Sequence, residues 1–197
     1  MASLDRVTRE VKIKIALAGV PFVGKEEMLR DFANRCGQAR FHSSVIGESR
    51  IFSAFITNRV PDHPEWKLTM SVHTVAGQAD YNAITELLLD NLDGLVFVCP
   101  IQAAEAEELR DSLRLTLFNL RRRGLDLEAL PVVMHYREQE RLPGFDISQL
   151  ERYLGVEPDS LPSFFTAMGE KNNLSDSLVS VMLQILKILD FGEKVPA

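Results

Sequence analysis

The chain is poor in cysteine. Its two thiols, Cys36 and Cys99, stand far apart in 197 residues and share no metal-ligand spacing. Two lone thiols in a chain of this size point to a reducing compartment. Cys99 ends an apolar run and reads as core filler. Long apolar runs are lacking too. No stretch approaches the roughly 18 residues a membrane span requires, and the first ten residues carry no apolar signal core. The expectation is a cytoplasmic protein with no membrane span. Basic surplus is also absent. A net charge of −6 argues against a nucleic-acid partner, because phosphate neutralisation needs a basic surface. It argues equally against simple attraction to an anionic membrane. There is no internal repeat and no low-complexity tract. The four histidines are scattered, with His42 expected in a loop, His63 in a turn, and His73 and His135 near strand ends. None has the Asp, Glu or Cys spacing of a metal site, so they read as structural and no metal site is expected. No Ser-His-Asp or Cys-His arrangement can be argued from their order.

The composition that remains, 46% hydrophobic and 25% charged, is that of one globular domain. Residues 1–10 read as a loose polar arm, 11–190 as the domain, and 191–197 as a tail. Residues 11–18 read as a strand and 26–35 as a helix. Residues 51–57 and 67–75 read as strands joined by PDHPE in a hairpin. Residues 81–91 read as a helix and 94–99 as a buried strand. The clearest helix is 105–123, where Ala106, Leu109, Leu113, Leu117 and Leu120 recur at spacings of three and four. Acids open it, and Arg121, Arg122 and Arg123 close it before Gly124, in keeping with the helix dipole and the glycine stop. Residues 131–136 and 163–167 read as strands, and 175–190 as a final helix.

Short apolar strands alternating with helices predict a mostly parallel sheet covered on both faces, with one antiparallel edge strand from the hairpin. Ligands in such sheets bind beyond the carboxyl ends of the strands. GVPFVGKEE lies at such an end, between the first strand and the first helix. It fits the phosphate-loop pattern G-x-x-x-x-G-K, with Glu26 where Ser or Thr would follow the lysine.

With these pieces in order, the chain resembles the Ras-like small GTPases, and among them the bacterial MglA group of polarity and motility proteins. REVKIKIALAGVPFVGKEEML is similar to that group's opening strand and phosphate loop. HTVAGQADYNA is similar to its second switch, including Thr74 in place of the usual Asp. LDGLVFV and PVVMHY resemble the strands that follow. The likeness runs from about residue 9 to 190. It implies a small-GTPase-like fold. It also implies cofactor contacts at Gly19, Gly24, Lys25, Thr74 and Gly77, and a water-orienting role for Gln78.

The departures carry as much information. The family's Mg²⁺-holding hydroxyl is replaced by Glu26. The switch-one Thr would fall near Arg50 in GESRIFSAF, where no Thr lies. Arg50 could instead be the arginine that stabilises a transferring phosphoryl group. The guanine-reading N-K-x-D falls on Arg137, Glu138, Gln139 and Glu140, with none of its fixed letters kept. Gly19, Gly24 and Lys25 can still cradle a phosphate with backbone N–H groups, a helix N-terminus and a point charge. Glu26 opposes that. At about 5 Å from a phosphate charge it costs roughly 3 kcal/mol per unit charge at an effective dielectric of about 20. It can also ligate Mg²⁺, or simply stabilise the start of its helix alongside Glu27. Arg137 offers no acceptor to guanine and reads as a solvated surface charge, as does Glu140.

Two functional readings follow. In the first, the chain is a pseudo-GTPase that binds proteins through its switch face, about residues 43–81, and the hairpin edge. The partners the resemblance implies are a Roadblock-type regulator or polarity proteins, and GTP or GDP with Mg²⁺ would bind weakly or not at all. In the second, it is a working GTP-hydrolysing switch that uses Glu26 in an unusual way. Binding of a different nucleotide or an anion at Gly19–Lys25 is a third expectation.

Overall fold

The computed structural model describes residues 2–47, 49–76, 88–101, 106–125, 129–138, 146–157, 160–167 and 173–191. Eight strands form one sheet. They are β1 (Ser3–Asp5), β2 (Glu10–Gly19), β3 (Arg40–Ile46), β4 (Ser49–Val60), β5 (His63–Ala76), β6 (Gly94–Ile101), β7 (Val132–Glu138) and β8 (Ser163–Thr166). Among the described residues they are accompanied by the helices α1 (Lys25–Arg35), α2 (Ala106–Arg122), α3 (Ile147–Leu154) and α4 (Leu174–Ile188). The strand order is β3-β4-β5-β2-β6-β7-β8, with β1 antiparallel to β2. β5, β2, β6, β7 and β8 run parallel, whereas β3-β4-β5 is an antiparallel wing at one edge. This is the small-GTPase-like α/β architecture.

Side-chain alternation sorts the sheet into two faces. Ile13, Ile15 and Leu17 of β2, with Met70 and Val72 of β5, are buried toward one face. α1 and α4 cover it. An added Cβ at Gly94 would lie 2.4 Å from Val181 and 3.0 Å from Ile185, which shows how closely α4 presses on β6. The other face is covered over β6 and β7 by α2 and α3, where the Tyr136 hydroxyl donates to Glu151 of α3 at 2.8 Å. Two apolar clusters result. The larger joins β2, β4–β7 and α1–α4. The smaller gathers Ala16, Leu88, Leu89, Leu92, Leu95, Leu120, Leu130 and Val132.

Several expectations change. Ser3–Asp5 pairs with β2, and Arg6 bonds Asp190 beyond α4 at 3.1 Å, so residues 3–10 are not a loose arm. The outer edge of the wing is β3, which covers the β4–β5 hairpin, and His42 lies on it rather than in a loop. His73 and His135 sit inside β5 and β7 rather than at strand ends. The helix expected at 81–91 falls mostly outside the described residues; Leu88 and Leu89 are helical, and Asn91 has φ 51. Among the described residues no helix is long and apolar enough to cross a membrane.

Candidate functional site

The phosphate-loop segment follows β2 at the carboxyl end of the sheet. Gly19 has φ 133, and an added Cβ would stand 2.2 Å from the Val98 carbonyl oxygen of β6. A side chain there is blocked by backbone, so the turn requires glycine. Gly24 has φ 80 and caps α1, accepting the first helical bond from the Met28 N–H at 2.9 Å. Between them Phe22 takes a left-handed φ of 60 and is 77% exposed. Such a conformation in a bulky residue costs on the order of 1 kcal/mol.

Lys25 opens α1 and is buried. Its ammonium donates to the carbonyl oxygens of Gly19 at 3.1 Å and Val20 at 2.5 Å. Burial lowers its pKa to about 8. The loop's cation is thus held on the loop's own backbone. Glu26 points its carboxylate to Arg30, one turn along α1, at 2.5 Å. The Arg30 guanidinium also lies 5.7 Å from the centre of the Phe41 ring on β3. The repulsion expected of Glu26 toward a phosphate is therefore moderated by a neighbouring cation.

Arg137 corrects the sequence reading most. It ends β7 on the face covered by α1, and it is not a solvated surface charge. One guanidinium nitrogen donates to the Val23 carbonyl at 2.9 Å, and the other to the Glu27 carboxylate at 3.0 Å. An added Cβ on Gly24 would fall 1.7 Å from the same guanidinium. Arg137 therefore lies against the loop glycine and ties β7 to α1. Sequence patterning had no signal for this, because the contact depends on the register of β7 beside β6.

Thr74 is buried in β5 and donates its hydroxyl to the Leu17 carbonyl at 3.1 Å. Arg50 is exposed on β4, opposite Ala76 in the ladder. Gly77 and Gln78 lie outside the described residues, as do Gln139 and Glu140. His135 is buried in β7, its ring 2.7 Å from the Ser177 hydroxyl and 3.0 Å from that of Thr166.

The chemistry of these donors can be matched to a nucleotide part by part. A phosphate group suits Gly24, the start of α1 and Lys25. Guanine does not suit Arg137, which carries donors only and is already bonded to Val23 and Glu27. Magnesium does not suit the described residues either. The nearby carboxylates of Glu26 and Glu27 are each paired with an arginine, and the Thr74 hydroxyl is engaged by a carbonyl. Among the described residues no group of three or more His, Cys, Asp and Glu could hold a metal ion.

No family model matches the chain. It is similar to the mutual gliding-motility protein MglA of Myxococcus xanthus (strain DK1622), at 25% identity over 197 residues, spanning 98% of this chain and 100% of that protein. This full-length likeness supports the Ras-like small-GTPase reading.

Proposed function

We propose that this chain is a pseudo-GTPase of the MglA type. It acts as a protein-binding regulator in bacterial gliding motility or cell polarity, and its phosphate loop takes GTP weakly or not at all. The observation that carries the reading is Arg137. It stands where the resemblance puts the guanine-reading Asn, and its two bonds join β7 to the loop and to α1. Those bonds hold together the elements that a bound nucleotide would otherwise bridge. The similar gliding-motility protein supplies the process. The switch face and the β3–β5 wing supply the surface, with a Roadblock-type regulator or polarity proteins as the partner class.

Titration calorimetry with GTP and Mg²⁺ tests it. Affinity weaker than about micromolar is expected, and sub-micromolar binding would sink the reading.

The second reading is a working switch, favoured by the kept frame of Gly19, Gly24 and Lys25. Glu26→Thr separates the two. If Glu26 repels phosphate, the variant binds GTP and ATP more tightly, by up to about a hundredfold and without preference between the bases. If Glu26 is a metal ligand in a working site, the same change weakens binding.

A further inference from the structure

Among the described residues, helices cover one face of the antiparallel wing, and most of the other face is open. The helix-covered face carries Phe52, Ala54, Leu68, Met70 and Val72, all buried. The opposite face can be read row by row from the ladder. Arg59, Lys67 and Glu10 stand side by side across β4, β5 and β2. Next come Thr57, Thr69 and Lys12, and then Arg40, Phe55, Ser71 and Lys14 across all four strands. Then come His42, Ser53, His73 and Ala16, and the face closes at Ser44, Ile51 and Val75, where Val75 packs against the Leu88–Leu89 cluster.

Two features set this face apart. The first is a run of three rings. His42 meets Phe55 edge-on at 5.7 Å, and Phe55 meets His73 edge-on at 5.8 Å. The Ser53 hydroxyl is 2.8 Å from His73 Nδ1 and fixes that ring. Phe55, at the centre, is 38% exposed. The second is charge. Five cationic side chains, Arg40, Arg59, Lys12, Lys14 and Lys67, share the face with two acids, Glu10 and its neighbour Asp5 on β1, and Lys14 donates to the Asp90 carbonyl at 2.6 Å. Glu10 takes Lys67 at 3.0 Å and Lys12 at 3.4 Å. Arg40 and Arg59 have no ion pair among the described residues. This positive face belongs to a chain whose net charge is −6.

We infer that this open face docks a carboxylate-rich segment of a protein partner, with one apolar side chain of that segment seated against Phe55. The inference rests on the protein-binding reading and gives the partner its chemistry. A preset aromatic anchor inside a cationic rim is the arrangement that favours an acidic partner with a central apolar contact. A second copy of the chain would set this positive face against itself and be repelled. A membrane would meet one part-exposed phenyl ring among Ser and Thr side chains, with little apolar depth to insert.

The test uses the full chain and a short labelled peptide that alternates Glu with Val around one central Phe. A Gln-for-Glu counterpart and phosphatidylserine vesicles are measured beside it. The Glu peptide is expected to bind, more weakly as salt shortens the Debye length below about 10 Å, and the Gln peptide on the order of tenfold less tightly. Phe55→Ser and the double variant Arg40→Glu with Arg59→Glu each lose on the order of tenfold. Val179→Ser on α4, also an exposed apolar position, leaves binding unchanged. Thermal melting confirms that each variant is folded, since all these sites are exposed.

Equal binding of the two peptides overturns the inference, as does retention of affinity in the Phe55 and arginine variants. Binding to vesicles without binding to peptide overturns it, and so does a dimer in sedimentation that Phe55→Ser dissolves. None of these outcomes depends on GTP calorimetry, so this inference and the pseudo-GTPase reading fail separately.

Discussion

The two halves of the sheet are built on different terms. In the parallel half, all eight residues of β6 are buried, and helices cover both faces. In the antiparallel wing, β3 has six exposed residues of seven, and one face is polar over most of its rows. Burial of apolar area dominates folding free energy at about 25 cal/mol per Å². The parallel half is therefore where stability resides, and the wing is a platform carried by it. The phosphate-loop segment lies at the top of the first half, and the proposed docking face lies on the second.

The strongest way to break this contrast is to remove the same ring from each half. Phe97 of β6 is fully buried and Phe55 of β4 is not. Phe97→Ala should cost about 4 kcal/mol of unfolding free energy, and Phe55→Ala less than about 1 kcal/mol. Urea midpoints measure both, and comparable losses would dissolve the distinction.

Acid sharpens it. Burial lowers the pKa of His135 to about 4, and His73 is lowered to about 4 by burial and by Lys14. An unfolded histidine takes its proton near pH 6.5. Between those values the unfolded chain binds more protons than the folded one, so stability is full above about pH 6.5 and falls as the pH drops toward about 4. His135, enclosed in the parallel half, should account for a loss on the order of 2–3 kcal/mol across that window. His73, less enclosed on the wing, should account for less. Unfolding midpoints from pH 7 to 4.5 on wild type and His135→Asn measure this, and the variant should show the shallower dependence.

The Arg137 bridge gives a smaller change in stability and a separate readout. Arg137→Ala removes charged hydrogen bonds to Val23 and Glu27 and should cost about 1.5 kcal/mol. Arg137→Asn should in addition tighten GTP by on the order of tenfold, because it replaces the guanidinium by a side chain with an acceptor. If calorimetry finds the affinity unchanged, Arg137 is a structural tie and no barrier to the base. The smallest effect is expected from Glu26→Gln. Loss of its pair with Arg30 should shift stability by less than about 0.5 kcal/mol, within the resolution of a careful melt.

The same contrast explains what could be read from the letters. GLVFV and PVVMHY announce β6 and β7 because strands buried on both faces need continuous apolar runs. β3, with the sequence RFHSSVI, announces nothing. Of its side chains only Phe41 is half-buried, so it has neither a run nor an apolar alternation. α3 was missed because three buried residues in a span of eight make too short a pattern. At the candidate site, the glycine frame and Lys25 were legible because backbone geometry demands them. The pairing of Glu26 with Arg30 follows an i,i+4 spacing that was on view in the sequence. Arg137 was legible only as a missing Asn. Its bonds arise from the register of three elements far apart in the chain, and local pattern does not encode that.

One contact at the opposite end of the molecule has a practical outcome. Phe191, beyond α4, stacks on His63 at 4.7 Å and meets the ring of Trp66 edge-on at 5.5 Å. Trp66 is the chain's one tryptophan. It lies at the hairpin end of β5, about 30 Å along the strands from Gly19. The intrinsic fluorescence of this protein is therefore a gauge of how the C-terminal segment seats on the hairpin. An emission shift would register fraying of that junction. Filling of the loop at Gly19–Lys25 would pass without optical trace, and a flat fluorescence titration with nucleotide could not be taken as absence of binding.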